Sequence, residues 1–177
     1  MLTGNIILFG DTANKTRFLR DETDIFERYI DIFMAGGVVG ILLNKKGEEK
    51  HDDNNVKIFA EQLNLESTRI KYLSSLAFLV ENFDSEHDEK ELLRKTFGDW
   101  FAYTKVEYTS KTDDKDNKYY LFKLYAIEGI NILYEVIVGD STDRSSYTRN
   151  FFKFIQELEK LQVNDSLDRT IVGALFS

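Results

Sequence analysis

The stretch "IDIFMAGGVVGILLNKKGEE", residues 30–49, decides how the rest of the chain is read. It is the most apolar part of the sequence, yet it carries Gly36, Gly37 and Gly40. A membrane anchor, a phosphate loop and a helix that another element approaches closely would each use such glycines differently. The nearly uncharged run from Ile30 to Leu43 contains Asp31 and falls short of the roughly 20 residues that span a bilayer. A phosphate loop needs G-x-x-x-x-G-K-[ST] after a strand, whereas "AGGVVG" lies inside a periodic apolar run. The helix remains. Apolar residues at Ile25, Phe26, Tyr29, Ile30, Phe33, Met34, Val38, Ile41 and Leu42 follow i, i+3/i+4 spacing. Asp24 and Glu27 supply a start signal, and Gly47 a stop beyond Asn44, so a helix is expected over 24–44.

Each helical Gly costs about 1 kcal/mol relative to Ala. Gly36 and Gly40 are one turn apart, so they form a shallow notch on one side of the helix. The expected occupant is a second apolar helix, "KYYLFKLYAIEGINILYEVIV" (118–138), through Ala126 and Gly129. Gly36, Gly37, Gly40, Ala126 and Gly129 are therefore read as a packing notch. Leu at Gly36 or Gly40 is expected to destabilise the fold strongly.

Working outward, "NIILFG" (5–10) is a strand or an apolar arm, and "DTANKTRFLRDETD" reads as polar and irregular. The charged loop "KKGEEKHDD" (45–53) precedes a short helix read over 54–63. Ile70, Leu73, Leu76, Ala77 and Val80 mark a helix within 65–82. Another opens at Ser85 and Asp88 and carries Leu93, Phe97, Trp100 and Phe101. The loop 106–118 follows, then the helix at 118–138, then a last long helix bearing Tyr147, Phe151, Phe154, Ile155, Leu158 and Leu161. The expected fold is all-α: a compact bundle of about six helices forming one domain over 1–177. Residues 1–22 are read as an N-terminal arm, and 163–177 as a tail that folds back or docks.

The 177 residues suit one domain with one core. Apolar and charged contents, 42% and 31%, are those of a soluble globular protein. The absence of Cys excludes a disulfide framework, a thiolate metal site and a cysteine nucleophile, and agrees with a cytoplasmic location. The absence of Pro favours uninterrupted helices. "MLTGNIILFGDT" has no basic region before its apolar run and does not read as a signal peptide. A net charge of −8 argues against nucleic-acid binding by this chain alone.

Chemistry-bearing patterns are sparse. His51, Asp52 and Asp53 lie together, and His87 sits beside Glu86, Asp88 and Glu89, but neither group has H-E-x-x-H spacing. Both read as solvated loops, so no metal, cofactor or catalytic residue is assigned. The aromatic residues fall at core spacing. Tyr119, Tyr120 and Tyr147 flank helix starts, where partial exposure would suit a protein partner; Ile171, Leu175 and Phe176 of the apolar tail are further candidate contacts.

The step Phe33, Gly36, Gly37, Gly40, followed by a glycine-containing turn, and the later step Tyr125, Ala126, Gly129, cover about a quarter of the chain. Together they resemble the small proteins associated with bacterial DNA-phosphorothioation (dnd) systems and small subunits of other anti-phage operons. The turn here lacks the strongly basic character of that pattern. The resemblance implies a non-catalytic accessory or adaptor subunit that binds an ATPase or nuclease of a defence complex; the short apolar run argues separately against a membrane anchor, and the oligomeric state is left open. It supplies no catalytic residues. Two rival readings are a small metal-dependent nuclease using loop carboxylates and an acidic inhibitor of a DNA-binding enzyme.

Overall fold

Alternation makes "IILF" a strand: the side chains of Ile6 and Leu8 are buried, while Ile7 and Phe9 are only partly so. A computed structural model of the chain describes residues 2–83, 89–97, 106–107, 118–141 and 143–164. It shows an all-α fold. Among the described residues are seven helices: α1 (Gly10–Asp21), α2 (Tyr29–Leu42), α3 (Ala60–Leu65), α4 (Ser67–Asn82), α5 (Glu89–Phe97), α6 (Lys118–Ile137) and α7 (Arg144–Asn164). Four short strands accompany them: β1 (Leu2–Thr3), β2 (Ile6–Phe9), β3 (Asn55–Ile58) and β4 (Val106–Glu107). β2 and β3 pair antiparallel, Ile6 with Ile58 and Leu8 with Val56, while β1 and β4 pair parallel. The chain divides into two compact units, Met1–Tyr134 and Glu135–Ser177, with the boundary in the last turn of α6.

Several boundaries differ from the sequence reading. Residues 1–22, read as an arm, hold β1, β2 and α1. The polar stretch after Gly10 is helical because its inner face needs few apolar groups. Ala13 and Leu19 are buried with Thr12 and Thr16, and the Thr16 hydroxyl donates to the Thr12 carbonyl at 2.7 Å. The helix expected from Asp24 starts at Tyr29. Asp24 adopts φ 56°, and the Thr23 hydroxyl donates back to the Leu19 carbonyl, so this segment closes α1 rather than opening α2. The helix read over 54–63 is β3 followed by α3. Val56 and Ile58 face inward while Asn55 and Lys57 face out, a period of two that a short window disguised. Within the expected loop 106–118, Val106–Glu107 is strand; residues 108–117, together with Trp100 and Phe101, lie outside the described residues.

In the first unit, Ile30, Ile32 and Phe33 of α2 are buried along with Phe122, Tyr125, Ala126 and Ile130 of α6. The Phe33 and Phe122 rings meet edge to face at 5.3 Å. Phe78 and Leu79 of α4 pack with Leu92 of α5. The Lys118 ammonium stands over the Phe78 ring and donates to the carbonyls of Lys95 and Thr96, closing the C-terminal end of α5. In the second unit, the Asp143 carboxylate accepts from the Ser146 backbone N–H at 3.0 Å and caps α7. Tyr147, Phe154 and Leu158 form the buried seam of that helix.

Candidate functional site

α2 is apolar on every side, with Asp31 its one charged residue. Such a helix is expected to be covered all round. One side meets α6. An ideal Cβ on Gly129 would fall inside the Gly36 carbonyl, and one on Gly40 inside the Tyr125 carbonyl. A Cβ on Gly36 would stand 2.6 Å from Ile130 Cγ1 and 2.9 Å from the Ala126 carbonyl oxygen, and one on Gly37 would enter the Phe122 ring. At this crossing, backbone touches backbone, and only glycine leaves the room.

Among the described residues, the opposite side of α2 is only partly covered: Met34 and Ala35 are half-buried and Val38 is exposed. Met34, Ala35 and Val38 face Arg69, Tyr72 and Leu73 of α4 across an open groove of about 480 Å³. Val38 is 37% exposed and Tyr72 40%, and Leu42, further along α2, is 46% exposed. At the N-terminal ends of the two helices, charge fixes their spacing. Arg28 donates to both carboxylate oxygens of Asp31, at 2.9 and 2.6 Å, and to Glu66 at 3.0 Å. Arg69 also pairs with Glu66, at 3.1 Å. The hydrogen bonds to Asp31 and then Glu66 hold the Arg28 guanidinium pKa above its ordinary value. The groove is an apolar trough whose charged end is paired within itself, a shape that accepts a ridge of side chains spaced i, i+3/i+4, i+7.

A second, polar cleft of about 500 Å³ lies where β2 enters α1. Gly10 makes the turn at φ 57°, and Asn54 accepts from and donates to its backbone. The segment 45–54 forms the far wall. Gly47 N–H donates to the Leu124 carbonyl, Lys46 pairs with Glu81 at 2.6 Å, and buried Lys123 pairs with Glu49 at 2.6 Å. The Tyr125 hydroxyl lies 3.1 Å from both Asn44 Oδ1 and Glu81 Oε2. Burial first, and the Glu81 carboxylate second, push the Tyr125 phenol pKa up. These contacts anchor a wall. Asp11, Glu48 and Asp52 line the cleft, but among the described residues no three His, Cys, Asp or Glu side chains are grouped to hold a metal. His51 rests edge-on against Phe9, ring centroids 5.0 Å apart, and Asp52 accepts from the Asn54 N–H. The group around His87 is outside the described residues.

The aromatic contact candidates need correcting. Tyr119 and Tyr147 are 4% and 5% exposed, so both are core residues, and Tyr120 is half-buried. Tyr119 and Tyr147 lie in the first turns of α6 and α7 with their side chains buried. Ile171, Leu175 and Phe176 fall outside the described residues. Sequence reading missed the groove itself, because Met34, Val38 and Leu73 share the periodicity of core positions. Among the described residues, no helix is long and apolar enough to cross a membrane. The chain matches no protein-family model, no curated protein and no solved structure.

Proposed function

We propose that this chain is a non-catalytic adaptor that captures a partner protein in the groove between α2 and α4. The observation that carries this reading is the side of α2 that the described residues leave partly exposed, on a helix whose composition calls for cover all round. The partner presents an apolar helical ridge on a basic surface. The ridge fills the trough, and the −8 net charge of the chain steers the encounter. The resemblance of 31–49 and 121–138 to accessory proteins of anti-phage systems suggests the identity of the partner: an ATPase or nuclease subunit of a cytoplasmic bacterial defence complex. The adaptor would hold that subunit in place while the partner performs the DNA-directed chemistry.

Co-expression with candidate ATPase and nuclease subunits of bacterial defence complexes tests the reading. The wild-type chain is expected to co-purify with one of them at fixed stoichiometry. Val38→Glu, which puts a charge into the apolar trough, is expected to weaken that complex about thirty-fold or more, roughly 2 kcal/mol at an interface centre. A folded Val38→Glu chain that co-purifies like wild type would refute the groove as the docking site.

A further inference from the structure

We infer that α7 pairs with α7 of a second copy of this chain, antiparallel, through the stripe Thr148, Phe152, Ile155 and Glu159. This stripe shares no residue with the groove lining. The buried seam of α7 runs through Tyr147, Phe154 and Leu158. Advancing one residue rotates the face by about 100°, which brings Thr148, Phe152, Ile155 and Glu159 into a second line. Phe152 is 63% exposed and Ile155 37%, and Thr148, Arg149 and Glu159 are exposed as well. The spacing of the line, four, three and four, is that of a coiled-coil seam.

Charge selects both the occupant and its direction. In a parallel pair Glu159 would face Glu159 of the second copy inside the seam, and Arg149 would lie near Arg149. Both contacts are repulsive. In an antiparallel pair a two-fold axis passes between Phe152 and Ile155. Phe152 then meets Ile155 of the second copy, Thr148 faces Glu159, and Arg149 lies beside Glu159. The two-fold repeats each contact, so one apolar centre is closed at both ends by an Arg–Glu pair. A 21-residue helix is only about 32 Å long, so the interface is small and of the weak, transient class.

Sedimentation equilibrium between about 1 and 200 µM reads the result, because that range suits an interface of this class. The wild-type chain is expected to move from its 20.6 kDa monomer mass to twice that value. Phe152→Glu is expected to stay monomeric with unchanged helical circular dichroism, which its exposed position permits. Arg149→Glu is expected to weaken the dimer at least ten-fold, and Arg149→Glu with Glu159→Arg to restore it. A wild-type chain that stays monomeric at 200 µM overturns the inference. So does a Phe152→Glu chain that dimerises like wild type, or a double swap that fails to recover.

Discussion

Replacing Gly129 with Ala probes the contact on which the first unit is built. The added methyl would point into the Gly36 carbonyl and would also approach Gly40 N at 2.8 Å. All of these neighbours are backbone, so no side chain can rotate away; α2 and α6 must separate. Overpacking of this kind typically costs about 1–3 kcal/mol, and a backbone obstacle places it at the upper end. Ala gains about 1 kcal/mol of helix propensity over Gly. The net expectation is a loss of about 2 kcal/mol. For a chain of this length that lowers the melting temperature by roughly 4–8 °C. Thermal unfolding followed by circular dichroism, with urea midpoints as a check, measures it. Gly37→Ala is the internal comparison: the three atoms nearest its methyl all belong to the Phe122 ring, a side chain rather than backbone, so the loss is expected to be smaller. A Gly129→Ala chain that melts at or above the wild-type temperature would show that propensity outweighs contact, and the close-crossing argument would fail.

Removing the Glu49 carboxylate leaves the buried Lys123 ammonium without its 2.6 Å partner. Glu49→Ala is expected to cost about 3 kcal/mol by denaturant titration, and pairing it with Lys123→Met to recover most of that loss. Acid unfolding should report on Asp143. Hydrogen bonds from the Ser145 hydroxyl, the Ser146 hydroxyl and the Ser146 N–H lower its pKa to about 2 from an ordinary 3.8. A depressed carboxylate pKa stabilises the folded state above the unfolded value, and that contribution fades as pH falls from about 4 towards 2. The melting temperature of wild type is therefore expected to drop more steeply across that window than that of Asp143→Asn. At alkaline pH the sign reverses for Tyr125. Its raised phenol pKa stabilises the fold below pH 10, and that contribution is lost as pH rises further, so Tyr125→Phe should flatten the alkaline limb of the stability profile.

The long helices were legible where one signal dominated. In α4 and α6 the apolar period runs for four turns or more, and boundaries read from sequence fall within two residues of those observed. α1 was not legible, because Thr12 and Thr16 occupy inner positions where a pattern search expects Leu or Ile. β3 was mistaken for helix because four residues are too few to separate a period of two from 3.6, and its partner β2 lies some fifty residues earlier. The glycines of α2 stood out because three of them in an apolar helix carry a propensity cost that needs a cause. The groove on the other side of that helix carries no such mark. Val38 and Leu42 look like core residues in sequence, and only the position of α4 shows them exposed. The second line on α7 was hidden for the same reason, since Ile155 was absorbed into the core stripe.

The central claim is that the partly exposed side of α2 holds a partner. Titrating the proposed ATPase or nuclease partner into wild-type, Val38→Glu and Phe152→Glu chains by calorimetry tests it most directly. The account predicts that Val38→Glu alone raises the partner Kd, by about thirty-fold or more, while Phe152→Glu leaves it unchanged. Equal affinity for wild type and Val38→Glu, or no binding by any of the three chains, would contradict it.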